Sequence, residues 1–187
     1  MRKLRGITLC LASALLSGGT AAQAQESYLG WLLTLNRQKE IQPVSNEAYQ
    51  HECGECHFAY QPGLLPARSW DALLEPQALR DHFGVNAELD AATRGRLHDY
   101  AVANAADRSY SKRSRKIAVA TAAGPVPMRI SRLEPVARVH RRIDLALITG
   151  NPEVKSLAAC DKCHTEAAQG VYESDTVRIP GATRPAR

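Results

Sequence analysis

The chain has 187 residues, a formal net charge of +5, 5% aromatic residues and 5 cysteines. That length fits one domain or two small ones, and no stretch is apolar for long enough to span a bilayer as a helix. Much of the positive charge belongs to the first residues, so the composition gives no support to nucleic-acid binding.

Met1-Arg2-Lys3-Leu4-Arg5 is a basic start, and Ile7 to Leu16 is a largely apolar run. Ala22-Gln23-Ala24 then places small residues where a signal peptidase reads. This pattern predicts a cleaved export signal over residues 1–24 and a mature chain from Gln25. Cys10 lies inside the apolar run behind bulky Leu9, so it is expected to leave with the signal rather than carry lipid. Arg2, Lys3 and Arg5 leave with it, taking Lys and Arg from 24 to 21 against 19 acids, a net charge of +2.

Ser45 or Asn46 is the expected N-cap of a first helix, with "ECGECHFAY" (52–60) at its far end. "QPGLLPARSW" (61–70), with two prolines and a glycine, predicts a loop, and Ser69 a cap for a short helix from Trp70. "PQALRDHFG" (76–84) predicts a turn or two of helix ended by Gly84. Asp90 caps a clearer helix over roughly Ala91 to Ala105, with Leu97, Tyr100, Ala101 and Asn104 along one face. The basic "RSYSKRSRK" and the proline-rich "AAGPVPMR" predict a linker over 109–128. Ser131 with Glu134 has the capping-box pattern and opens helix through Arg142, Pro135 making the first turn irregular. Pro152 is expected to start a helix carrying "ACDKCH" (159–164), and the tail "TVRIPGATRPAR" is extended. Strand signals are scarce.

All four cysteines past the signal lie in two Cys-x-x-Cys-His units: Cys53, Cys56 and His57, then Cys160, Cys163 and His164. A disulfide framework is the ordinary reading of cysteines in an exported protein. Here none is left to join distant parts of the chain, and a bridge inside either unit closes a loop too short to stabilise a fold of this size. Zinc could use four thiolates plus histidine, and a thiol-exchange motif uses Cys-x-x-Cys near a βαβ pattern that is missing here. Neither explains a histidine after the second cysteine both times. Covalent attachment of a c-type haem does. Each thiol adds to one vinyl group, which sets the spacing, and the following imidazole falls beneath the iron. Two haem c groups are therefore expected, on a mainly α chain whose haem-bearing parts, 25–108 and 129–187, flank the linker. With few aromatic side chains, the haems themselves supply apolar surface for short helices to pack on.

Each iron then has an open sixth position or takes a second ligand, usually Met or His. His82 lies 25 residues after His57 and shares a predicted helical face with Leu79 and Phe83. His140 lies 24 residues before His164, on a helical face with Leu133 and Val136. These two are the expected second ligands. His51 precedes His57 by six residues. That is only about 9 Å along a helix, too close to reach the far side of its own haem. His98 sits on a more polar face between Arg94 and Val102. Both are expected at the surface, as alternatives to His82 and His140. Met128, beside Pro127, is the one methionine left and a weaker candidate.

"ECGECHFAYQPGLLPARSW", "DHFG", "EPVARVHRRI" and "AACDKCHTEAAQGVYE" with a following "IP" resemble the bacterial dihaem cytochromes c over nearly all of the mature chain. The resemblance implies a mainly α fold of two small, closely packed cytochrome c-like haem domains with two histidine ligands per iron: His57 and His82 for the first haem, His164 and His140 for the second. Phe58 stands where a methionine is often found and Gln61 where a proline is common; neither departure touches a ligand. The resemblance also implies periplasmic electron transfer between redox proteins, beside a membrane b-type cytochrome and a small monohaem cytochrome c.

Two six-coordinate irons change charge without binding substrate, which describes a carrier of low to moderate potential. The competing expectation is a haem enzyme, a peroxidase or small-gas reductase, with one open or labile iron. No catalytic residue is evident. The basic segment "SKRSRK" (111–116) is expected to be exposed, with an acidic partner or anionic lipid as the ligand its charge would favour.

Overall fold

Asn46 starts the first helix by accepting the Tyr49 amide on its side-chain oxygen at 2.9 Å. That helix, α1 (Glu47–Gly54), is short, and Cys53 lies in its last turn. The structure, a computed structural model, describes residues 40–182, so the expected export signal lies outside the described residues.

The stretch predicted as loop is more ordered than expected. A buried 3-10 turn (Pro62–Leu64) leads directly into α2 (Ala67–Leu73), which starts at Pro66 rather than at Ser69. The cap comes from a distant residue: Asp107 accepts the Ala67 amide at 2.8 Å, while Ser69 is buried inside the helix. A sequence window around Ser69 holds no trace of Asp107. Pro76 opens α3 (Pro76–Arg80), and Asp90, accepting the amides of Ala92 and Thr93, caps α4 (Ala91–Ala103) as predicted. α2 packs on α4, and Leu97, Tyr100 and Ala101 are buried.

The segment expected to be a linker carries α5 (Lys112–Ala120), capped by Ser111, whose side chain accepts the Ser114 amide at 3.1 Å. Its inner face is Ser111, Ser114, Ile117 and Thr121, all buried. Those positions repeat every three or four residues, but three of the four are small and polar, so hydropathy concealed the period. The capping box does not form. Ser131 lies in a 3-10 turn (Ile130–Arg132), Leu133 is the N-cap of α6 (Glu134–His140), and Pro135 takes the first turn. The helix expected from Pro152 is also missing. The Asn151 side chain accepts the Glu153 amide and donates to Pro180 O, and Lys155 has φ +64. The second motif therefore rests on turns and a short 3-10 segment (Cys160–Lys162).

The main core joins Ile41, Tyr49, Leu64, Leu65, Trp70, Leu73, Leu97, Tyr100, Ile117 and Leu133. Among the described residues past His140 the buried apolar side chains are few: Ile148, Val154 and Ala167. The carboxyl-terminal part closes back on the start, with the Ile41 amide donating to Gly170 O at 3.2 Å. Gly170 has φ +78, and a Cβ there would lie 1.8 Å from Ile41 O. Among the described residues there is no strand, only the isolated bridges His82–Val85 and His164–Val177. No described helix is long and apolar enough to cross a membrane.

Candidate haem sites

The fold brings the predicted histidines together in two pairs. His57 and His82 lie with ring centroids 6.3 Å apart and planes 24° from parallel. His140 and His164 lie 6.1 Å apart at 65°. His57 follows the end of α1 and stays near the surface, its Nδ1 2.8 Å from the neighbouring Phe58 carbonyl.

His82 reaches its place by a different route from the one its sequence suggests. α3 ends at Arg80, so His82 and Phe83 are not on a helix face with Leu79. A turn through Phe83 (φ +57) and Gly84 (φ +98) pairs His82 with Val85 instead, the His82 amide donating to Val85 O at 2.8 Å. Phe83 consequently points outward, 46% exposed, beneath the Arg129 guanidinium at 4.0 Å. His140 ends α6, where its Nδ1 lies 2.8 Å from Val136 O. His164 is fixed through its backbone, by the bridge to Val177 and by Arg178 N donating to Cys163 O at 2.8 Å.

These surroundings disfavour the protonated form of His82 and of His164. Burial, then His57 and Arg129, lower the pKa of His82; burial, then His140 and Arg113, lower that of His164 to about 4. The four cysteines are unpaired. Burial, helped by Glu52, pushes the Cys53 thiol up to about 12; burial and Asp161 push Cys160 up to about 11. Cys163 is raised for the same reasons as Cys160.

The residues fit a metal held between two imidazoles. Bonds of about 2.0 Å to each nitrogen, with roughly 1.2 Å more to each ring centre, set the centroids about 6.4 Å apart. Both observed separations are close to this. For His57 and His140, a carbonyl beside Nδ1 fixes the proton there and leaves Nε2 as the free donor. Exposed apolar side chains flank the pairs, Phe83 and Val85 beside His82 and Val139 beside His140, as a flat apolar group would require. Among the described residues no three or more His, Cys, Asp or Glu converge on a direct metal site.

The alternative ligands lie elsewhere. His51 is exposed beside Glu52 and Glu55. His98 bonds to Asp71 at 2.8 Å and to Asp99 at 3.3 Å. Met128 packs against the main core.

A link between the two sites had no signal in the sequence. The Tyr60 ring lies 5.0 Å from His57, and its hydroxyl donates to Ala158 O, beside the second motif, at 2.5 Å. Buried Gln61 donates to Ala167 O at 2.5 Å and accepts the Tyr172 hydroxyl at 2.6 Å. The Tyr172 ring in turn stands 5.2 Å from His164. Arg113, expected to be solvated, is half-buried over Tyr172 and pairs with Glu40 and Glu173. Only long-range contacts give these residues their places, so no local window contains the information.

Residues 49–172 match the dihaem cytochrome c family. No curated protein matches the chain. Among solved structures, the chain is similar to the X-ray structure of a diheme cytochrome type c from Shewanella baltica OS155. That likeness has 34% identity and a TM-score of 0.59, over 74% of this chain and 95% of that one. It is also similar to a diheme cytochrome c from Rhodobacter sphaeroides, with 38% identity and a TM-score of 0.59, over 71% and 99% of the two chains. A crystal structure of DHC purified from Rhodobacter sphaeroides gives 37% identity and a TM-score of 0.55, over 70% and 99%. With the mainly helical fold and paired histidines already in view, the chain belongs to the dihaem cytochrome c family, electron-carrying haem proteins with two haem c cofactors.

Proposed function

We propose that this chain passes single electrons between redox proteins of the periplasm through two covalently attached, six-coordinate haems. Cys53 and Cys56 would anchor the first, with His57 and His82 on its iron; Cys160 and Cys163 would anchor the second, with His164 and His140. The observation that carries this reading is the separation of the two histidine pairs, 6.3 and 6.1 Å. Bound haem supplies a one-electron couple at its iron. The protein's part is to hold position. The thiols tie the cofactor to the backbone, and the imidazoles hold the iron from both sides, so no ligand has to bind or leave when charge moves.

Cytochromes c are typically exported, which agrees with the predicted signal over 1–24. We assign the haem-carrying units to 25–108 and 129–187, with α5 in the connection between them. The partners we propose are a membrane b-type cytochrome and a small monohaem cytochrome c.

Intact mass and carbon monoxide binding test the reading together. The denatured protein should exceed the bare polypeptide by two haems; a mass without them overturns covalent attachment. The reduced wild type should bind carbon monoxide poorly, and His82→Ala and His140→Ala should each open one iron to it. Rapid stoichiometric binding by the wild type would instead support an enzyme with an open iron.

A further inference from the structure

A metal-binding histidine is usually oriented by a hydrogen bond from its second ring nitrogen. His57 and His140 each have such a partner, the Phe58 and Val136 carbonyls. His164 does not. Its Nδ1 is buried and meets no hydrogen-bonding group of the protein.

What sets this ring is packing. Tyr172 stands edge-on to it at 60°, and the Tyr172 hydroxyl donates to Gln61 Oε1. The other end of the same amide donates to Ala167 O, while the Ala167 amide donates to His164 O at 3.0 Å. Gln61 is fully buried and joins the two elements that enclose His164, the turn carrying it and the aromatic ring beside it. Both ends of a primary amide are used, one as donor and one as acceptor, a role a carboxylate or hydrocarbon of similar size cannot fill.

We propose that Gln61 is a positioning residue for the second haem. It acts through Tyr172 to hold the His164 ring and to keep water from its Nδ1, and so keeps that haem's reduction potential above the value a hydrated Nδ1 would give. The proposal rests on His164 being an iron ligand. An Nδ1–H with no acceptor makes the imidazole a weaker electron donor. Water admitted there accepts the proton's hydrogen bond, strengthens the ligand and favours the oxidised, more highly charged iron. Tyr60, one residue before Gln61, packs its ring on His57 and bonds its hydroxyl to Ala158 O, and makes no hydrogen bond to Tyr172 or Ala167.

The test is a potentiometric titration of the full holoprotein, comparing wild type with Gln61→Met, Tyr172→Phe and the double variant. Methionine keeps the volume without the two hydrogen bonds, and phenylalanine keeps the ring without the hydroxyl. Nuclear Overhauser contacts from haem methyl groups to the residue-172 ring assign the second haem. Each single variant should lower that haem's potential by at least a threefold change in its reduction equilibrium. This is about 28 mV for a one-electron couple, at 59 mV per tenfold. The first haem should not move. The double variant should shift no further than Gln61→Met, because Tyr172→Phe removes one of the two hydrogen bonds that methionine already removes. An unchanged second haem, an equal shift of both haems, or additive shifts would overturn the proposal. If Gln61→Met fails to fold, Tyr172→Phe alone decides it. Absence of two haems from the wild type would instead refute the underlying reading.

Discussion

Tyr49 couples the stability of the fold to the first motif, which makes Tyr49→Phe an informative perturbation. Tyr49 is 1% exposed and lies one turn before Cys53 in α1. Its ring sits 6.2 Å from Trp70 and 5.2 Å from Tyr100, and its hydroxyl donates to Tyr60 O at 2.8 Å. Phenylalanine keeps the ring contacts and removes only the hydroxyl. A typical hydrogen bond contributes about 1 kcal/mol, and a carbonyl left in part-buried surroundings costs somewhat more, so the loss should be about 1–2 kcal/mol. At this chain length that is a fall in Tm of roughly 3–6 °C. Tyr49→Ala also gives up the ring and should cost about 3–5 kcal/mol from packing alone. Urea unfolding followed by far-ultraviolet circular dichroism measures both, with an unchanged m-value for Tyr49→Phe. Its haem absorbance should stay that of the wild type. A loss below about 0.3 kcal/mol, or one equal to that of Tyr49→Ala, would refute the division into hydroxyl and ring contributions.

Asp71 and then Asp99 hold the His98 pKa above its ordinary 6.5, so this contribution is complete below that value and lost as pH rises through the folded pKa. Stability should fall by less than about 1 kcal/mol between about pH 6 and 8, as suits a part-exposed pair, and His98→Gln should flatten that slope in urea titrations at several pH values. Gly170→Ala should cost at least about 2–4 kcal/mol, from the left-handed backbone and the collision with Ile41 O, seen as a large drop in urea midpoint with little properly folded protein recovered. Replacing Lys112, Arg115 and Lys116 by Gln should leave stability within about 0.5 kcal/mol, because these side chains of α5 are exposed. Arg113→Gln should cost about 1 kcal/mol in the same unfolding assay, through its two ion pairs and the Tyr172 ring.

The sequence by itself determined the chemistry. Two Cys-x-x-Cys-His units that use every cysteine past the predicted signal need no fold to be legible as the pattern of haem attachment, because that pattern lies in contiguous positions. Asn46 and Asp90 were legible as caps for the same reason: donor and acceptor lie within three residues of each other. Tertiary structure decided wherever a partner is remote. Asp107, not Ser69, caps α2, and α5 was hidden because its buried face is mostly small polar groups that pack against a surface no local window shows. The helical face that singles out His82 in the sequence does not exist; a turn with two positive φ values and a bridge to Val85 bring it to His57. The link from Tyr60 and Gln61 to Ala158, Ala167 and Tyr172 spans about a hundred residues of chain. Contacts of that separation follow from how the chain closes on itself, and local spacing carries no record of them.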